Sequence, residues 1–307
     1  MMGTPLPYTI SDFEGRELLA KGHLLNRAVI SKIANQGRNR KNVETCLLKH
    51  GAIRSDLEAF MHENSYPLIF GGEKAVKNHL AAIDEVPIPV SLLRALNELK
   101  EHDFYTYRHS LVVFATTTFL MGPCCTKASA GKSAYLAGPT HDLGKLLVPR
   151  TVLNKPTPLT HDERRLIEFH PIGGFILLSY YLGDPMHPAA QVALNHHERL
   201  NGTGYPRGRQ ELDPLVDMVA TCDIYDALIS DRPYRSGNYD NRTALEELAA
   251  IAEAGALGWC SIKTLVCRHR SEHPTPEQVH ISQQRRVAPS GHNYHSIIVN
   301  EEQKHVC

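Results

Sequence analysis

Two adjacent histidines followed by a glycine-rich loop form the most distinctive candidate site in this sequence. His196 and His197 end an apolar segment, and a loop with Gly202, Gly204 and Pro206 comes directly after them. Glycine relieves the steric restriction on φ and proline fixes φ, so this loop is expected to hold one specified conformation. A histidine pair at a helix end also occurs for purely structural reasons, so the prediction of a site depends on the motifs that accompany it.

Further imidazoles and carboxylates lie on both sides of this pair. His141 and Asp142 come upstream with Lys145 three residues after the aspartate, and Asp223 and Asp226 come downstream. Imidazole together with carboxylate suits Fe, Mn, Ni or Zn, whereas an all-oxygen set would suit Mg or Ca. The combination therefore predicts a site for a divalent transition metal.

The order of these motifs resembles the HD-GYP family, a branch of the HD-domain phosphohydrolases that act as cyclic di-GMP phosphodiesterases. The motifs are His-Asp at 141–142, His-His-Glu with Gly-Tyr-Pro at 196–206, and Asp-x-x-Asp-Ala-Leu with Arg-Pro-Tyr at 223–234. The resemblance extends from about Ser91 to Gly258, more than half of the chain. It implies a mainly α fold, an HD-domain helical bundle, preceded by a small N-terminal α+β module.

The resemblance also implies the metal ligands and the reaction. Two divalent ions, Fe or Mn before Ni or Zn, would be held by seven side chains, with Asp142 shared between the ions. The implied ligands are His109, His141, Asp142, His170, His196, His197 and Asp223. Asp142 and Lys145 would act in catalysis, with Lys145 beside the phosphate. The implied reaction is metal-assisted hydrolysis of cyclic di-GMP to pGpG, to GMP or to both.

Four further side chains are expected to contact the substrate, namely Tyr205, Asp226, Arg232 and Arg235. Arginine suits phosphate or guanine edges, and a tyrosine ring can stack on a base or contact phosphate. Asp226 follows Asp223 by one turn and is expected either at the substrate or behind the ligands. Two alternatives stay open: the arginines could be solvent-exposed without a ligand, and Lys145 could form an ordinary salt bridge with Asp142 on a solvated helix face.

Three departures from the family pattern bear on activity. Tyr105 stands one helical turn before the first ligand, where relatives with a third ion carry glutamate, so two ions are expected rather than three. Leu200 and Asn201 replace the usual Trp-Asp pair and are expected to loosen the loop or to change its hydrogen bonds. Pro139 is expected to interrupt the helix that leads to His141, which would lower activity if that ligand were displaced.

Two other functions remain open. An HD phosphohydrolase for another nucleotide would share the metal ligands, although plain HD enzymes lack the Gly-Tyr-Pro and Arg-Pro-Tyr elements found here. A catalytically weak or inactive HD-GYP module could bind cyclic di-GMP or a signalling partner such as a diguanylate cyclase (GGDEF) protein. The complete ligand set disfavours the inactive module, because a protein without catalysis need not keep seven metal-binding side chains.

The composition argues against several classes of partner. Lys plus Arg and Asp plus Glu each number 33, so the net charge is zero and no bulk attraction to DNA or to an anionic membrane is expected. The first fifteen residues lack the basic and apolar regions of a secretory signal, and the apolar runs are too short to span a bilayer. A cytoplasmic protein without membrane insertion, with its seven cysteines reduced, is therefore predicted.

The elements that must position the site fall into three segments. Residues 1–86 are expected to form the accessory α+β module, residues 87–268 the HD-GYP catalytic domain, and residues 269–307 a polar tail. In the first segment, two short strands are predicted around a turn at Gly15. A helix is predicted from Asn26 to Ala34, with Gly37 as its C-terminal cap.

Helices around the site are predicted from apolar spacing and capping residues. Four leucines recur at helical spacing after Pro89, at positions 92, 93, 96 and 99. Thr160 and Glu163 have the spacing of a capping box before the helix that leads to His170. Asp213-Pro214 is typical of a helix start, and residues 241–255 have the pattern of an amphipathic helix.

Overall fold

The computed structural model describes residues 5–38, 44–45, 52–63, 66–124, 131–230, 239–270, 274–282, 284 and 286. Most of them are helical, which confirms the predicted mainly α fold. The helices are α1 Arg27–Arg38, α2 Ile53–Met61, α3 Pro67–Phe70, α4 Glu73–Asp84, α5 Val90–His102, α6 Phe104–Cys124, α7 Ala137–Thr140, α8 Arg150–Leu153, α9 His161–Glu168, α10 His170–Tyr181, α11 Pro188–Asn195, α12 Pro214–Ile229, α13 Asn241–Glu253 and α14 Trp259–Arg268. Within these ranges, no helix combines the length and the apolar character needed to cross a membrane.

Short strands and 3-10 helical segments complete the described elements. The strands are β1 Ile10–Ser11, β2 Glu17–Leu19, β3 Glu44–Thr45 and β4 Ile88–Pro89, and the 3-10 segments are Lys132–Leu136, Leu143–Leu147 and Pro276–Gln278. β1 pairs antiparallel with β2, and Gly15 in the turn between them has a φ of +80°, which favours glycine. The predicted pair of strands around Gly15 is therefore confirmed. β3 pairs antiparallel with β4.

Helix α1 packs on α10 through a glycine. It begins after Asn26, whose side chain accepts a hydrogen bond from the N–H of Val29 at 2.9 Å. The predicted C-cap at Gly37 is wrong, because α1 includes both Gly37 and Arg38. A Cβ atom at Gly37 would lie 1.6 Å from the carbonyl oxygen of Tyr180. Glycine is therefore required here by the close approach of two helices, and not by the end of one.

The variant Gly37→Ala is expected to destabilise the protein by about 1–3 kcal/mol, because the added methyl group must push α1 away from the backbone of α10. Urea unfolding would measure the loss. The matched control is Gly72→Ser, since a Cβ atom there would meet nothing within 4 Å and serine is a favoured N-cap residue at this start of α4. The control should change the free energy of unfolding by no more than about 0.5 kcal/mol. Equal stability of the Gly37 variant and the control would contradict the packing argument.

One continuous cluster of buried apolar side chains, from Leu6 to Leu265, forms the core. The predicted leucine stripe of α5 belongs to it, with all four leucines at 0% exposure. Every residue of α10 is buried, and so is nearly every residue of α12. These two helices therefore hold His170 and Asp223 in the interior. The core crosses residue 86, and the segment boundaries at residues 86 and 268 stay predictions.

The chain before His141 is broken into short pieces, as predicted from Pro139. A 3-10 segment at 132–136 leads into α7, which has four residues, all of them buried. Gly138 packs against α6, where a Cβ atom would lie 2.8 Å from the Cα atom of Phe114. This close packing holds the interrupted segment in place, so His141 still lies beside the other proposed ligands.

Two helix starts near the site have the predicted capping residues. The Thr160 hydroxyl accepts from the N–H of Glu163 at 3.3 Å, and the Glu163 carboxylate accepts from the N–H of Thr160 at 2.8 Å. At α12, the Asp213 carboxylate accepts from the N–H of Leu215 at 2.8 Å, and Pro214 takes the first helical position. Both helices therefore start at residues that the sequence identifies by local chemistry alone.

Candidate metal centre

All seven proposed ligands lie together in two adjoining groups. The His109 group consists of His109, His141 and Asp223, and the His170 group consists of His170, His196, His197 and Asp142. In each group, the potential ligand atoms lie within 4.8 Å of one another. Six of the seven residues are buried, and the side chain of Asp223 is 13% exposed. The structure thus contains a buried His/Asp cluster with the composition of a metal site.

Asp142 joins the two groups through its two carboxylate oxygens. Its Oδ1 lies 3.1 Å from Nε2 of His170 and 3.7 Å from Nε2 of His196. Its Oδ2 lies 3.5 Å from Nε2 of His141 and 3.9 Å from Nε2 of His109. One oxygen therefore faces each group, which is the arrangement that a carboxylate shared between two cations requires.

Three of the seven side chains lie in helices, and the other four directly follow the end of a helix. His109 comes from α6, His141 and Asp142 follow α7, His170 starts α10, His196 and His197 follow α11, and Asp223 comes from α12. Gly144 allows the 3-10 segment after Asp142 to lie directly on α10. A Cβ atom at Gly144 would lie 1.9 Å from the carbonyl oxygen of His170. The spacing of the motifs did not reveal this contact, which brings Asp142 close to His170.

Backbone carbonyl groups orient three of the imidazoles. Nδ1 of His141 lies 2.7 Å from the oxygen of Gly138, and Nδ1 of His170 lies 2.7 Å from the oxygen of Ile167. Nδ1 of His196 lies 3.0 Å from the oxygen of Ala193 in the preceding helix α11. Because a carbonyl oxygen only accepts, each Nδ1 carries the proton and each Nε2 directs a lone pair into the cluster.

Burial keeps the imidazoles of His141, His170 and His197 in the neutral form that binds metals, whereas bonds to Asp223 and Asp226 raise the pKa of His109 to about 9. Burial lowers the pKa of His141 to about 4, and it also lowers the pKa of His170 and His197. Burial alone would raise the pKa of Asp142, but the Lys145 ammonium and the neighbouring histidines hold that pKa well below its usual range. Neutral imidazole and ionised carboxylate are the protonation states that a divalent cation requires of its ligands.

Among the residues that the structure describes, three buried polar atoms of the cluster have no hydrogen-bond partner. They are Nε2 of His141, Nδ1 of His197 and Oδ1 of Asp142. Buried polar atoms are otherwise almost always hydrogen-bonded, so these three need another kind of partner. A metal ion would supply it, and the mixture of imidazole and carboxylate suits Fe, Mn, Ni or Zn. The residues therefore fit the metal centre that the motifs imply.

Lys145 lies at the junction of the metal cluster and the cavity described below. Its Nζ donates to Oδ2 of Asp142 at 2.6 Å, and the Asp142 side chain is 2% exposed. The salt bridge of the alternative interpretation is therefore present, but it is largely buried and does not lie on a solvated helix face. Lys145 also lines the cavity, so its ammonium group faces the space where a substrate could bind.

Asp226 lies behind His109 rather than at the cavity. Its Oδ2 is 2.5 Å from Nδ1 of His109, and its Oδ1 accepts hydrogen bonds from the hydroxyl groups of Tyr66 and Ser230. Asp226 is 1% exposed and is not among the residues that line the cavity. Of the two predicted positions, direct substrate contact is not supported, and this geometry fits a carboxylate that orients a ligand imidazole.

The Gly-Tyr-Pro loop is held by Glu198, which is fully buried. Its two carboxylate oxygens accept from the N–H groups of Arg207 and Arg209, both at 2.8 Å. At Gly204, a Cβ atom would lie 2.4 Å from the carbonyl oxygen of His197, so the loop folds tightly over the histidine pair. As a result, the ring of Tyr205 stacks on the imidazole of His197, with centroids 4.6 Å apart.

The Leu200-Asn201 pair ties this loop to the residues that follow α13. The N–H of Leu200 donates to the oxygen of Ala256 at 3.0 Å, and Nδ2 of Asn201 donates to the oxygen of Ala254 at 3.1 Å. The Asn201 side chain also accepts from the hydroxyl group of Thr203. The expected loosening of the loop, or change of its hydrogen bonds relative to a Trp-Asp pair, stays a prediction.

A cavity of about 540 Å³ opens beside both ligand groups, a volume typical of small-molecule sites. Four ligands form part of its wall, namely His109, Asp223, His170 and His197. Tyr205 also lines it, as the sequence predicts for a substrate-binding residue. Tyr105 is in the wall as well, with its ring nearly parallel to that of His109 at 6.1 Å. The cavity therefore gives a ligand direct access to the cluster.

Two further cations in the cavity wall were missed by sequence reasoning. Lys155 and Arg164 line the side formed by α9 and the loop before it. Nζ of Lys155 is paired with the carboxylate of Glu163 at 2.6 Å. Residues 155–158 have a loop-like sequence, but nothing in it indicates contact with the site. The predicted substrate contacts Arg232 and Arg235 lie outside the described residues.

The sequence is similar to an HD domain family model and to several phosphodiesterases. Residues 115–255 match the family model described as HD domain. A cyclic di-GMP phosphodiesterase of Pseudomonas aeruginosa is 40% identical over 164 residues, which cover 50% of this chain and 39% of that protein. A cyclic di-GMP phosphodiesterase of Thermotoga maritima is 32% identical over 188 residues, which cover 57% of this chain and 50% of that protein.

A third relative has a different named substrate. The 3'3'-cGAMP-specific phosphodiesterase 1 of Vibrio cholerae is 33% identical over 155 residues, which cover 50% of this chain and 35% of that protein. The chain thus spans half or less of the length of each of these three relatives. The segment that matches the HD domain model, residues 115–255, contains six of the seven clustered side chains, all except His109.

Proposed function

From the premise that residues 115–255 form an HD domain with the HD-GYP motifs, we propose that this chain is a metal-dependent phosphodiesterase that hydrolyses cyclic di-GMP. One observation carries the proposal. Asp142 directs one carboxylate oxygen to each of two ligand groups, and the cavity beside them is lined by the ammonium group of Lys145. This is the arrangement of groups that hydrolysis of a phosphodiester needs.

The proposed cofactor is a pair of divalent metal ions, with Fe or Mn favoured and Ni or Zn compatible with the same ligands. The His109 group and the His170 group would each hold one ion, and Asp142 would contact both. When bound, such ions would activate water for attack and would offset the negative charge of the phosphate. Tyr105, which occurs in place of a carboxylate ligand, supports two ions rather than three.

The protein groups around the proposed ions have separate tasks. Lys145 places a positive charge beside the phosphate and stabilises the negative charge that develops as the bond to the leaving oxygen breaks. Tyr205 presents a ring and a hydroxyl group to the substrate. Arg232 and Arg235 are proposed to bind phosphate or a guanine edge. The product would be pGpG, GMP or both.

A second cyclic dinucleotide is a specific alternative substrate. Two relatives named 3'3'-cGAMP-specific phosphodiesterases are 33% identical over 155 residues and 40% identical over 98 residues. The two dinucleotides share a ring with two phosphodiester bonds and differ in one base. The metal centre and Lys145 would therefore act on either. A cytoplasmic location and a diguanylate cyclase (GGDEF) partner also belong to the proposal, on the strength of the family resemblance.

The experiment that tests the proposal is hydrolysis of both dinucleotides by protein that is purified anaerobically. The protein is stripped with a chelator and then loaded with Fe(II), Mn(II), Ni(II) or no metal, and the products are separated by chromatography. Linear dinucleotide or mononucleotide is expected only from metal-loaded protein. Metal-loaded protein that cleaves neither compound would refute the proposal in favour of another substrate, and protein that binds no metal would favour a binding module.

A further inference from the structure

A tyrosine from the N-terminal part of the chain reaches the metal cluster indirectly. Tyr66 lies directly before α3 and is 2% exposed. Its hydroxyl group donates a hydrogen bond to Oδ1 of Asp226, whose other oxygen holds Nδ1 of His109. Three residues therefore form a chain of hydrogen bonds from the segment before residue 86 to a proposed metal ligand.

Both oxygens of the Asp226 carboxylate have polar partners. Oδ1 also accepts from the Ser230 hydroxyl at 2.9 Å and lies 3.5 Å from Nη1 of Arg108. The Arg108 guanidinium in turn donates to the Tyr66 hydroxyl at 3.4 Å and forms a salt bridge with Glu63. Glu63 and Tyr66 both lie before residue 86, so side chains from the first predicted segment contact Arg108 and Asp226 next to the first proposed ligand.

The Tyr66 hydroxyl group is suited to donate to this carboxylate. Burial and the nearby Asp226 carboxylate raise the pKa of Tyr66 well above its usual value, so the phenol keeps its proton and remains a donor. Hydrogen bonds that a carboxylate accepts are of the stronger, charge-assisted kind.

We propose that Tyr66 is a positioning residue of the metal centre: it fixes the Asp226 carboxylate, which in turn fixes the imidazole of His109 for binding an ion. The inference rests on the proposed role of His109 as a metal ligand. Partners that orient ligating histidines typically change metal affinity by about 10- to 100-fold when they are removed. Tyr66 is one hydrogen bond further from the ion than Asp226. Its loss is therefore expected to lower the affinity for one ion by about 3- to 10-fold.

The test compares Mn(II) binding by the full chain and by two phenylalanine variants. Tyr66→Phe removes the hydroxyl group that bonds to Asp226. Tyr107→Phe is the matched control, because Tyr107 is also fully buried and its hydroxyl donates to Asp56 at 2.6 Å, away from the ligands. Each metal-free protein is titrated with Mn(II) against a competing chelator, and thermal unfolding of the same samples measures stability.

The expected result is that the two variants lose similar stability, because each loses one buried hydroxyl group, while only Tyr66→Phe binds one Mn(II) more weakly. In an Asp226→Asn background, Tyr66→Phe should add little further weakening, since both residues act on the same imidazole. Unchanged Mn(II) affinity in Tyr66→Phe would overturn the inference. Equal loss of affinity in both phenylalanine variants would overturn it too, because the effect would then follow stability alone.

The readout separates this inference from the proposed function, because Mn(II) binding needs no turnover. Wild-type protein that cleaves neither dinucleotide, but shows the selective loss in Tyr66→Phe, would refute the proposed function and support the role of Tyr66. Wild-type protein that binds no Mn(II) would refute both.

Discussion

The variant Asp142→Ala is expected to lower hydrolysis of cyclic di-GMP by at least about a thousandfold and to reduce the bound metal below two ions per chain. The reason is the position of the carboxylate, whose two oxygens face different ligand groups. Its removal takes one ligand from each proposed ion and also removes the partner of the Lys145 ammonium group. Product chromatography and elemental analysis of the same samples would measure both effects.

The control for this prediction is a carboxylate that is similarly buried but outside the cluster. Asp217 lies on α12 and accepts at Oδ1 from the N–H of Gly258 at 2.8 Å, which an asparagine can also do. Asp217→Asn should therefore keep two ions and activity within about twofold of the unmodified protein. If Asp142→Ala kept its metal and its activity, the shared-carboxylate account would be wrong.

The variant Lys145→Met is expected to lower kcat by about 10²- to 10³-fold while the protein keeps both ions. The side chain has no role as a ligand, but its charge lies between Asp142 and the cavity. Methionine has nearly the same length without the charge, so the loss would report on electrostatic stabilisation of the transition state. Steady-state kinetics with elemental analysis would separate a defect in catalysis from a loss of metal.

Lys155 provides the matched comparison in the same cavity. Its ammonium group is paired with Glu163, away from the ligand groups, at 2.6 Å. Lys155→Met should therefore keep kcat within about threefold, with any change appearing in KM. Similar losses of kcat in the two methionine variants would mean that the cavity needs positive charge in general, and would contradict a specific role for Lys145.

The seven proposed ligands could be named from the sequence because each lies in a short motif of the family that the chain resembles, and the structure brings all seven together. Adjacent pairs such as His141-Asp142 and His196-His197 place two ligands by local chain geometry alone. The helix starts at Thr160 and at Asp213 are local too, because a capping residue acts on backbone groups two or three positions away. Features of this kind need no knowledge of the tertiary fold.

Other features depend on contacts between distant parts of the chain. Gly37 has the local signature of a helix end, but its role comes from Tyr180, which lies more than 140 residues later. The position of Asp226 was left open between substrate and ligand, and it is decided by its bond to His109 on another helix. Tyr66 has no sequence signal at all, since its partner is 160 residues away.

The proposed division at residue 86 is affected by the same contacts. Helix α1 packs on α10, β3 pairs with β4, and Tyr66 reaches Asp226, so the first segment contributes to the core and to the surroundings of the site. Its composition and turn signals indicated an accessory module. Those signals describe local conformation, and they carry no information on which surface the module covers.

The central claim is that the two ligand groups form one centre with two ions that share Asp142. The most direct test is anomalous diffraction from crystals of the full chain grown anaerobically with Mn(II). The account predicts two Mn peaks, one within the His109 group and one within the His170 group, with the Asp142 carboxylate in contact with both. A single peak, or peaks away from these seven side chains, would contradict it.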